Sequence, residues 1–293
     1  MTNDAAAEDD APLYGGPRST GVDVAVAAVR EPSGRGQHDR TVRSCWTAME
    51  DYTALIGDRT ALRALALPLT DGAVPEVVAR VLDLPDTVAA VFVIGLGPAE
   101  ATAVQAETTS AGGPLVLTQL DVVSAALAAA TATVLHARGV APGRGRVVVA
   151  GADSAPRLEP VLRGSGTGSV TTFFHRDAST IPLRPLMTHH DVLIDLTGTV
   201  SPSTAPGRTI SVPIDLFDMT SIALPGLLSA LCGHGCSVLT ADALAAAARA
   251  IALVTPAGRT LPDLNNRVLV SAVARHVSRT LDARQTPYPH RHS

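Results

Sequence analysis

Continuous apolar runs outnumber alternating ones in this chain, and they are separated by glycine-containing turns. "VDVAVAAVREP" from Val22 is a short apolar piece that reads as helix or strand, and "GRGQHDR" after it reads as a loop. "ALRALALPLTDGAVPEVVARVLDL" predicts a strand ending near Leu69, a turn at Asp71–Gly72, and a helix with Pro75 in its first turn. "TVAAVFVIGLGPAEA" predicts a buried strand over Val88–Ile94 that enters a glycine loop, and "TSAGGPLVLTQLD" a loop with a short extended piece. A long helix follows from about Gln119 to Ala137, with Gly139 as its stop.

The second half repeats the alternation. "RVVVAGADSAPRLEPVLRGSGTGSVTTFFHRD" reads as strand, turn, short helix, glycine loop and strand. "HHDVLIDLTG" is a third strand with Gly198 at its end, and "TISVPIDLF" offers a fourth. The remainder is helical: "SIALPGLLSALC", then "TADALAAAARAIALV" with Thr240 as cap, then "NNRVLVSAVARHVSRTL". Strands alternating with helices predict an α/β fold with parallel sheet: a small N-terminal α/β domain and a Rossmann-like parallel-sheet domain with C-terminal helices. The expected limits are a disordered tail over 1–20, the N-terminal domain over 21–118, the Rossmann-like domain over 119–283, and a tail over 284–293.

Composition narrows the setting. The chain has 293 residues, 46% hydrophobic and 17% charged, enough for a sizeable core. A net charge of −4 gives no overall basic footprint, so nucleic acid is not expected as a partner. All 23 basic residues counted as Lys or Arg are arginine, which removes any mechanism that needs a lysine base or Schiff base. The most apolar stretch, "VVSAALAAATATVL" from Val122, is about 14 residues long against the ~20 of a membrane span, and no membrane association is expected. The acidic start has no targeting pattern, and the three cysteines fit a reducing cytoplasm better than a disulfide framework.

Several stretches taken in order, "AMEDYTALIG", "AVFVIGLGPAEATAVQAE", "GPLVLTQLDVVSAALAAATATVLHARG", "RVVVAGADSAP", "HDVLIDLTG" and "SIALPGLLSALCGHGCSVLTADALAAAARAIALV", resemble the bacterial malic enzymes. The resemblance runs from about Met49 to Ser278, and its most specific piece is "IALPGLLSAL" with the alanine-rich helix after it. It implies a substrate-type domain, an NAD-type domain, a closing helical segment, a homodimer, and metal- and NAD(P)-dependent oxidative decarboxylation of malate.

Each chemical motif departs from that family's pattern. The base lysine of "MEGK" is replaced by Tyr52 in "MEDY", a phenol whose ordinary pKa near 10 must be strongly perturbed before it can act as acid or base. The metal carboxylates of "NLED" fall at Leu96 and Gly97, and the paired aspartates of "DDQHGTA" at Thr118 and Gln119. Magnesium or manganese needs hard oxygen ligands, so no metal is assigned. Asp121 is the nearby carboxylate; it is a candidate catalytic group or a helix-start residue that interacts with the dipole.

The dinucleotide fingerprint "GAGAAG" falls on Gly151–Ala152–Asp153–Ser154–Ala155–Pro156, where the first glycine alone survives. Two like charges about 4 Å apart at an effective dielectric of about 20 repel by about 4 kcal/mol, so Asp153 opposes a pyrophosphate. Gly151 and Ser154 remain as cofactor-binding candidates, and NAD or NADP as cofactors that the altered motif weighs against. The position expected to hold the ribose is His175, beside Arg176. The "NPTPE" loop has no counterpart, the substrate asparagine pair falls at Met219 and Thr220, and the "YTPG" tyrosine matches Tyr14 loosely. "CGHGC" (Cys232, His234, Cys236) lacks a second ligand pair for structural zinc.

The favoured reading is a malic-enzyme-like pseudoenzyme, cytoplasmic and homodimeric, that binds a small ligand or a protein partner. The alternative is a repurposed, metal-independent enzyme that uses Tyr52, Asp121, His190 or Asp195 in the old interdomain cleft. A residual NAD(P)-binding oxidoreductase is the least supported.

Overall fold

The computed structural model describes residues 21–29, 43–177, 183–201, 203–213 and 215–285. The first sheet comes from β1 (Asp23–Val29), β2 (Arg63–Leu69), β3 (Val88–Ile94) and β4 (Leu115–Thr118), connected by α1 (Cys45–Arg59), α2 (Val74–Leu82) and α3 (Pro98–Ser110). Its strand order is β2-β1-β3-β4, all parallel. Helix α4 (Gln119–Ala137) follows β4 directly and leads to the second sheet. That sheet holds β5 (Arg146–Ala150), β6 (Ser169–Phe173), β7 (Val192–Asp195) and β8 (Thr209–Ser211), interleaved with the short helices α5 (Leu158–Gly164) and α6 (Leu183–Leu186). It repeats the order, β6-β5-β7-β8, again parallel. Helices α7 (Phe217–Gly233), α8 (Ala241–Val254) and α9 (Leu269–Gln285) complete the described chain. The α/β fold with parallel sheets is as the sequence predicts.

The strand sequences explain their places. Parallel strands covered on both faces read as near-continuous apolar runs, and β1 (DVAVAAV) and β3 (VAAVFVI) are central and buried almost throughout. The piece from Val22 that reads as helix or strand is thus the strand β1. Its Asp23 carboxylate is buried and grips the forked Arg63 guanidinium of β2 (Nε 2.6 Å, Nη2 2.5 Å) and the Thr87 hydroxyl (2.9 Å). Strand β2 is the edge and is largely exposed, as Pro68 requires, since a proline cannot donate to a further strand. Helix α3 lies where the sequence reading had a glycine loop. Its residues carry almost no apolar stripe, and only Ala101, Val104 and Thr108 are buried. The predicted tails over 1–20 and 286–293, the "GRGQHDR" loop and Tyr14 lie outside the described residues.

Helix α4 is longer than its apolar stretch suggests. Its 19 residues are apolar enough to cross a membrane by length and composition. A helix hydrophobic on every side is a core helix when protein surrounds it, and α4 is buried continuously from Asp121 to Thr131. It shares one core with the inner faces of both sheets and with α7, α8 and α9. Smaller clusters cover the outer faces: Val77, Val81 and Val104 under α2 and α3, and Met187 and Ala205 against Val148 and Leu193. Alanine-rich stretches, 125–130 in α4 with Leu127 and 243–248 in α8 with Leu244, are buried, and their small side chains let helix backbones approach closely.

One such approach is at Gly226 in α7, where a Cβ would stand 2.6 Å from Val273 Cβ and 2.9 Å from the Val270 carbonyl of α9. Gly226→Ala is therefore expected to destabilise the protein by about 1–3 kcal/mol of overpacking, outweighing alanine's better helix propensity of about 1 kcal/mol. Gly57→Ala in α1, with nothing within 4 Å of its Cβ, is expected to be neutral or stabilising. Urea denaturation of the two variants checks the pair, and equal midpoints would refute the close packing.

Candidate functional site

Helix α1 begins at Ser44, whose hydroxyl accepts from the Thr47 N–H at 3.1 Å. The helical repeat then turns Met49, Tyr52 and Ile56 to the buried side. Tyr52 has no exposed surface. Its ring stands edge-on to Phe92 of β3, centroids 5.1 Å apart at 84°, and tilted against Phe217 at the start of α7, 4.7 Å apart at 36°. The phenol oxygen accepts from Gln119 Nε2 of α4 at 3.0 Å. Arg43 lies over the other side of this stack, 4.2 Å from the Phe217 centroid. It pairs with Asp51 and, at 3.2 Å, with Asp215, whose other oxygen accepts from the Phe217 N–H at 2.9 Å.

Burial pushes the Tyr52 phenol up to about 12, against a weaker opposing pull from the neighbouring Thr220 and Gln119. A general base works best with a pKa near the working pH, and this phenol keeps its proton at neutral pH. Met219 and Thr220 are both buried in the first turn of α7.

Asp121 faces the other way from the start of α4. It closes a capping box with Thr118: the Thr118 hydroxyl accepts from the Asp121 N–H, and Asp121 Oδ2 accepts from the Thr118 N–H at 3.0 Å and its hydroxyl at 2.8 Å. The same oxygen accepts from Gln105 Nε2 at 2.6 Å, and Oδ1 lies 3.1 Å from Arg157 Nε. Arg157 also donates to Gln105 Oε1 at 3.0 Å and to the Leu239 carbonyl at 2.7 Å. One guanidinium thus joins α3, α4, the turn before α5 and the approach to α8. Tyr52 and Asp121 bond to different partners, and the first turn of α4 carries Gln119 of the one and Asp121 of the other.

The turn after β5 also bonds within itself. Gly151 adopts φ +79°, which favours glycine, and its N–H donates to the Phe173 carbonyl at 2.8 Å. Ala152–Ser154 form a 3₁₀ turn in which the Ser154 N–H donates to the Gly151 carbonyl (2.9 Å) and the Ala155 N–H to the Ala152 carbonyl (3.2 Å). Pro156 has no N–H, and α5 starts only at Leu158. A dinucleotide pyrophosphate is held by such N–H groups at a helix start, and two of this turn's, on Ser154 and Ala155, are already bonded within it. The cavity between this turn, α3 and α4 measures about 20 Å³, the size of a single water.

On β7, beside β5 in the second sheet, Asp195 at the strand's end is buried and accepts from the Thr197 N–H (2.9 Å) and hydroxyl (2.7 Å), the Gly198 N–H (3.1 Å) and the Val200 N–H (3.1 Å). Its carboxylate shapes its own loop. Both ring nitrogens of His190 are engaged, with the Leu186 carbonyl at 2.8 Å and the Thr171 hydroxyl at 3.2 Å. Arg176 is 80% exposed, its guanidinium 5.1 Å from the Phe174 ring centroid. Of "CGHGC", His234 bonds the Ala230 carbonyl and Asp282, and burial pushes the Cys232 thiol up to about 12. Among the described residues no three His, Cys, Asp or Glu side chains gather to hold a metal ion. Leu96 and Gly97 offer no carboxylate, and the Asp121 carboxylate is taken up by its partners, so these positions do not fit a divalent cation.

Sequence reasoning missed Arg157, Gln105, Phe217 and Arg43. The spacing of Thr118 and Asp121 carries the capping-box signature, but a surface-type arginine 36 residues further on (121 to 157) carries no local mark of its partner.

No protein-family model matches this sequence, and no curated protein matches it either. Among solved structures, the chain is similar to the malic enzyme of Pyrococcus horikoshii with a TM-score of 0.70 and 14% identity, covering 90% of this chain and 77% of that one. The NAD-dependent malic enzyme of Thermotoga maritima matches with a TM-score of 0.69 and 13% identity, over 87% of this chain and 84% of that one. The malic enzyme of Entamoeba histolytica matches with a TM-score of 0.72 and 13% identity, over 90% and 70%. The chain has a malic-enzyme-like fold.

Two outcomes follow from this geometry. A tyrosine whose folded pKa lies above its unfolded one contributes stability that is present below the unfolded value, near 10, and lost as pH rises through the folded value. Tyr52, raised to about 12, is expected to withdraw about 2–3 kcal/mol between those limits, and Tyr52→Phe to flatten that alkaline loss in denaturation curves. A phenolate signal from Tyr52 at ordinary alkaline pH would contradict its burial. Arg157→Met leaves Asp121 buried without its cation and is expected to cost about 2–3 kcal/mol, below the 3–5 of a fully buried pair because Arg157 is a third exposed. Asp121→Asn in that background is expected to restore part of the melting temperature, and no recovery would show that the pair is not coupled.

Proposed function

We propose that this chain is a malic-enzyme-like protein that has left metal-dependent oxidative decarboxylation of malate, and that it serves as a non-catalytic relative binding a ligand or partner. The observation that carries the reading is Tyr52: where the family's proton-abstracting lysine would stand, a phenol is sealed between Phe92 and Phe217, fully buried and held protonated. The self-bonded turn at Gly151–Ser154 and the pairing of Asp121 with Arg157 support the same reading. Residues 21–118 and 119–283 then correspond to the former substrate-type and NAD-type halves, and a cytoplasmic homodimer belongs to the reading through the resemblance.

A metal-independent enzyme in the same cleft would need room for a substrate beside Tyr52 or Asp121. The cavity beside Asp121, about 20 Å³, favours the non-catalytic reading over it. The NAD(P)-binding oxidoreductase reading would need backbone donors that the Gly151 turn uses internally.

Purified protein supplied with malate, magnesium or manganese, and NAD or NADP is expected to reduce no nicotinamide above the protein-free rate. Stoichiometric pyruvate and reduced nicotinamide would overturn the reading.

A further inference from the structure

At the opposite end of α4, about 25 Å along the helix from Gln119, three helices end around a cavity of about 570 Å³. They are α4 at Ala137, α5 at Gly164 and α8 at Val254. Helix ends normally expose carbonyls, but here several are already bonded. The Val140 N–H takes Leu135, the Thr167 N–H takes Leu162, Arg249 takes Gly164, and the Thr255 hydroxyl takes Ile251. The walls therefore present mainly hydrocarbon, from Ala137, Val140, Pro142, Ala252 and Leu253. Leu253 is 72% exposed, the most exposed large hydrophobic side chain among the described residues. Apolar surface in such a concavity is the mark of a small-molecule site, and the volume falls within the usual ~300–1,000 Å³.

The charge at this cavity has one sign. Arg249 and Arg259 line it, and none of the described lining residues is Asp or Glu. Arg249 is anchored to a neutral carbonyl, and no carboxylate pairs with it among the described residues. The Arg259 side chain is exposed and makes no hydrogen bond or ion pair among the described residues, while its backbone N–H closes the turn onto Pro256 at 3.1 Å. A guanidinium fork matches a carboxylate in two parallel bonds.

We propose that this cavity binds an apolar-tailed monocarboxylate of the fatty-acid type. The tail lies against Leu253 and Ala252, the carboxylate sits on Arg259, and Arg249 adds to the attracting field. The site lies away from the Tyr52 stack and does not depend on whether that region turns over malate.

Calorimetric titration of the full chain with decanoate tests it, with decanol as the uncharged control. Decanoate is expected to saturate one site per chain. Arg259→Gln is expected to weaken decanoate about tenfold or more, the worth of a hydrogen bond to a charged group, while leaving decanol unchanged. Ala252→Trp, which fills the cavity, is expected to abolish binding of both without changing the elution volume of the protein. The proposal falls if decanoate does not saturate, if decanol binds wild type as tightly as decanoate, or if Ala252→Trp binds like wild type. It also falls if the protein self-associates in a way that Leu253→Asp abolishes and decanoate does not compete with, because the face is then an interface between copies of this chain.

Discussion

Asp121 stands in the first turn of a helix that protein surrounds on every side, and a carboxylate in that position needs a partner. Arg157 supplies it and reaches Gln105 and the Leu239 carbonyl with the same guanidinium. Because those groups sit on α3, on the turn after β5 and before α8, the pairing fixes the first sheet's helices against the second sheet's turn. Helix α4 then fills the space between the sheets, and α7, α8 and α9 pack on it through a single continuous core. An ion pair of this kind adds little net stability over an apolar alternative. Its effect is to specify one arrangement of otherwise smooth, alanine-covered helices.

The aromatic stack works on the same junction from the other side of α4. Aromatic residues are 3% of the chain, yet Tyr52, Phe92 and Phe217 meet at one place and bring together α1, β3 and α7. Arg43 covers the stack and is held by two aspartates, so the cation sits where it strengthens the closure. A buried, hydrogen-bonded phenol and a buried, ion-paired carboxylate are stable ends in themselves. The Tyr52 phenol is not poised to exchange a proton near neutral pH, because burial holds its proton on.

Most of the architecture was legible in the sequence. The buried strand β3, the strands β5 to β7, the Gly139 stop and the Thr240 cap all rest on local signals: continuous β-branched runs, a positive-φ glycine, and a hydroxyl before an apolar helix, whereas the run that became β1 left helix and strand open. Helix α3 was not legible, because an amphipathic stripe is the signal for a surface helix and α3 has hardly any. The resemblance to malic enzymes came from the order of motifs spread along most of the chain, and the fold comparisons agree at the level of backbone shape.

The sequence by itself determined which chemical groups the chain can offer: no lysine anywhere, and no carboxylate at Leu96, Gly97, Thr118 or Gln119. It also determined that a long apolar helix starts near Gln119, with Asp121 at its beginning. Only the tertiary structure decided what surrounds the groups that are present. The contacts of Tyr52 with Phe217, Asp121 with Arg157, and Leu253 with the cavity at the far end of α4 join residues distant in sequence. Burial and pairing depend on what the fold brings near, and no local pattern of residues encodes that.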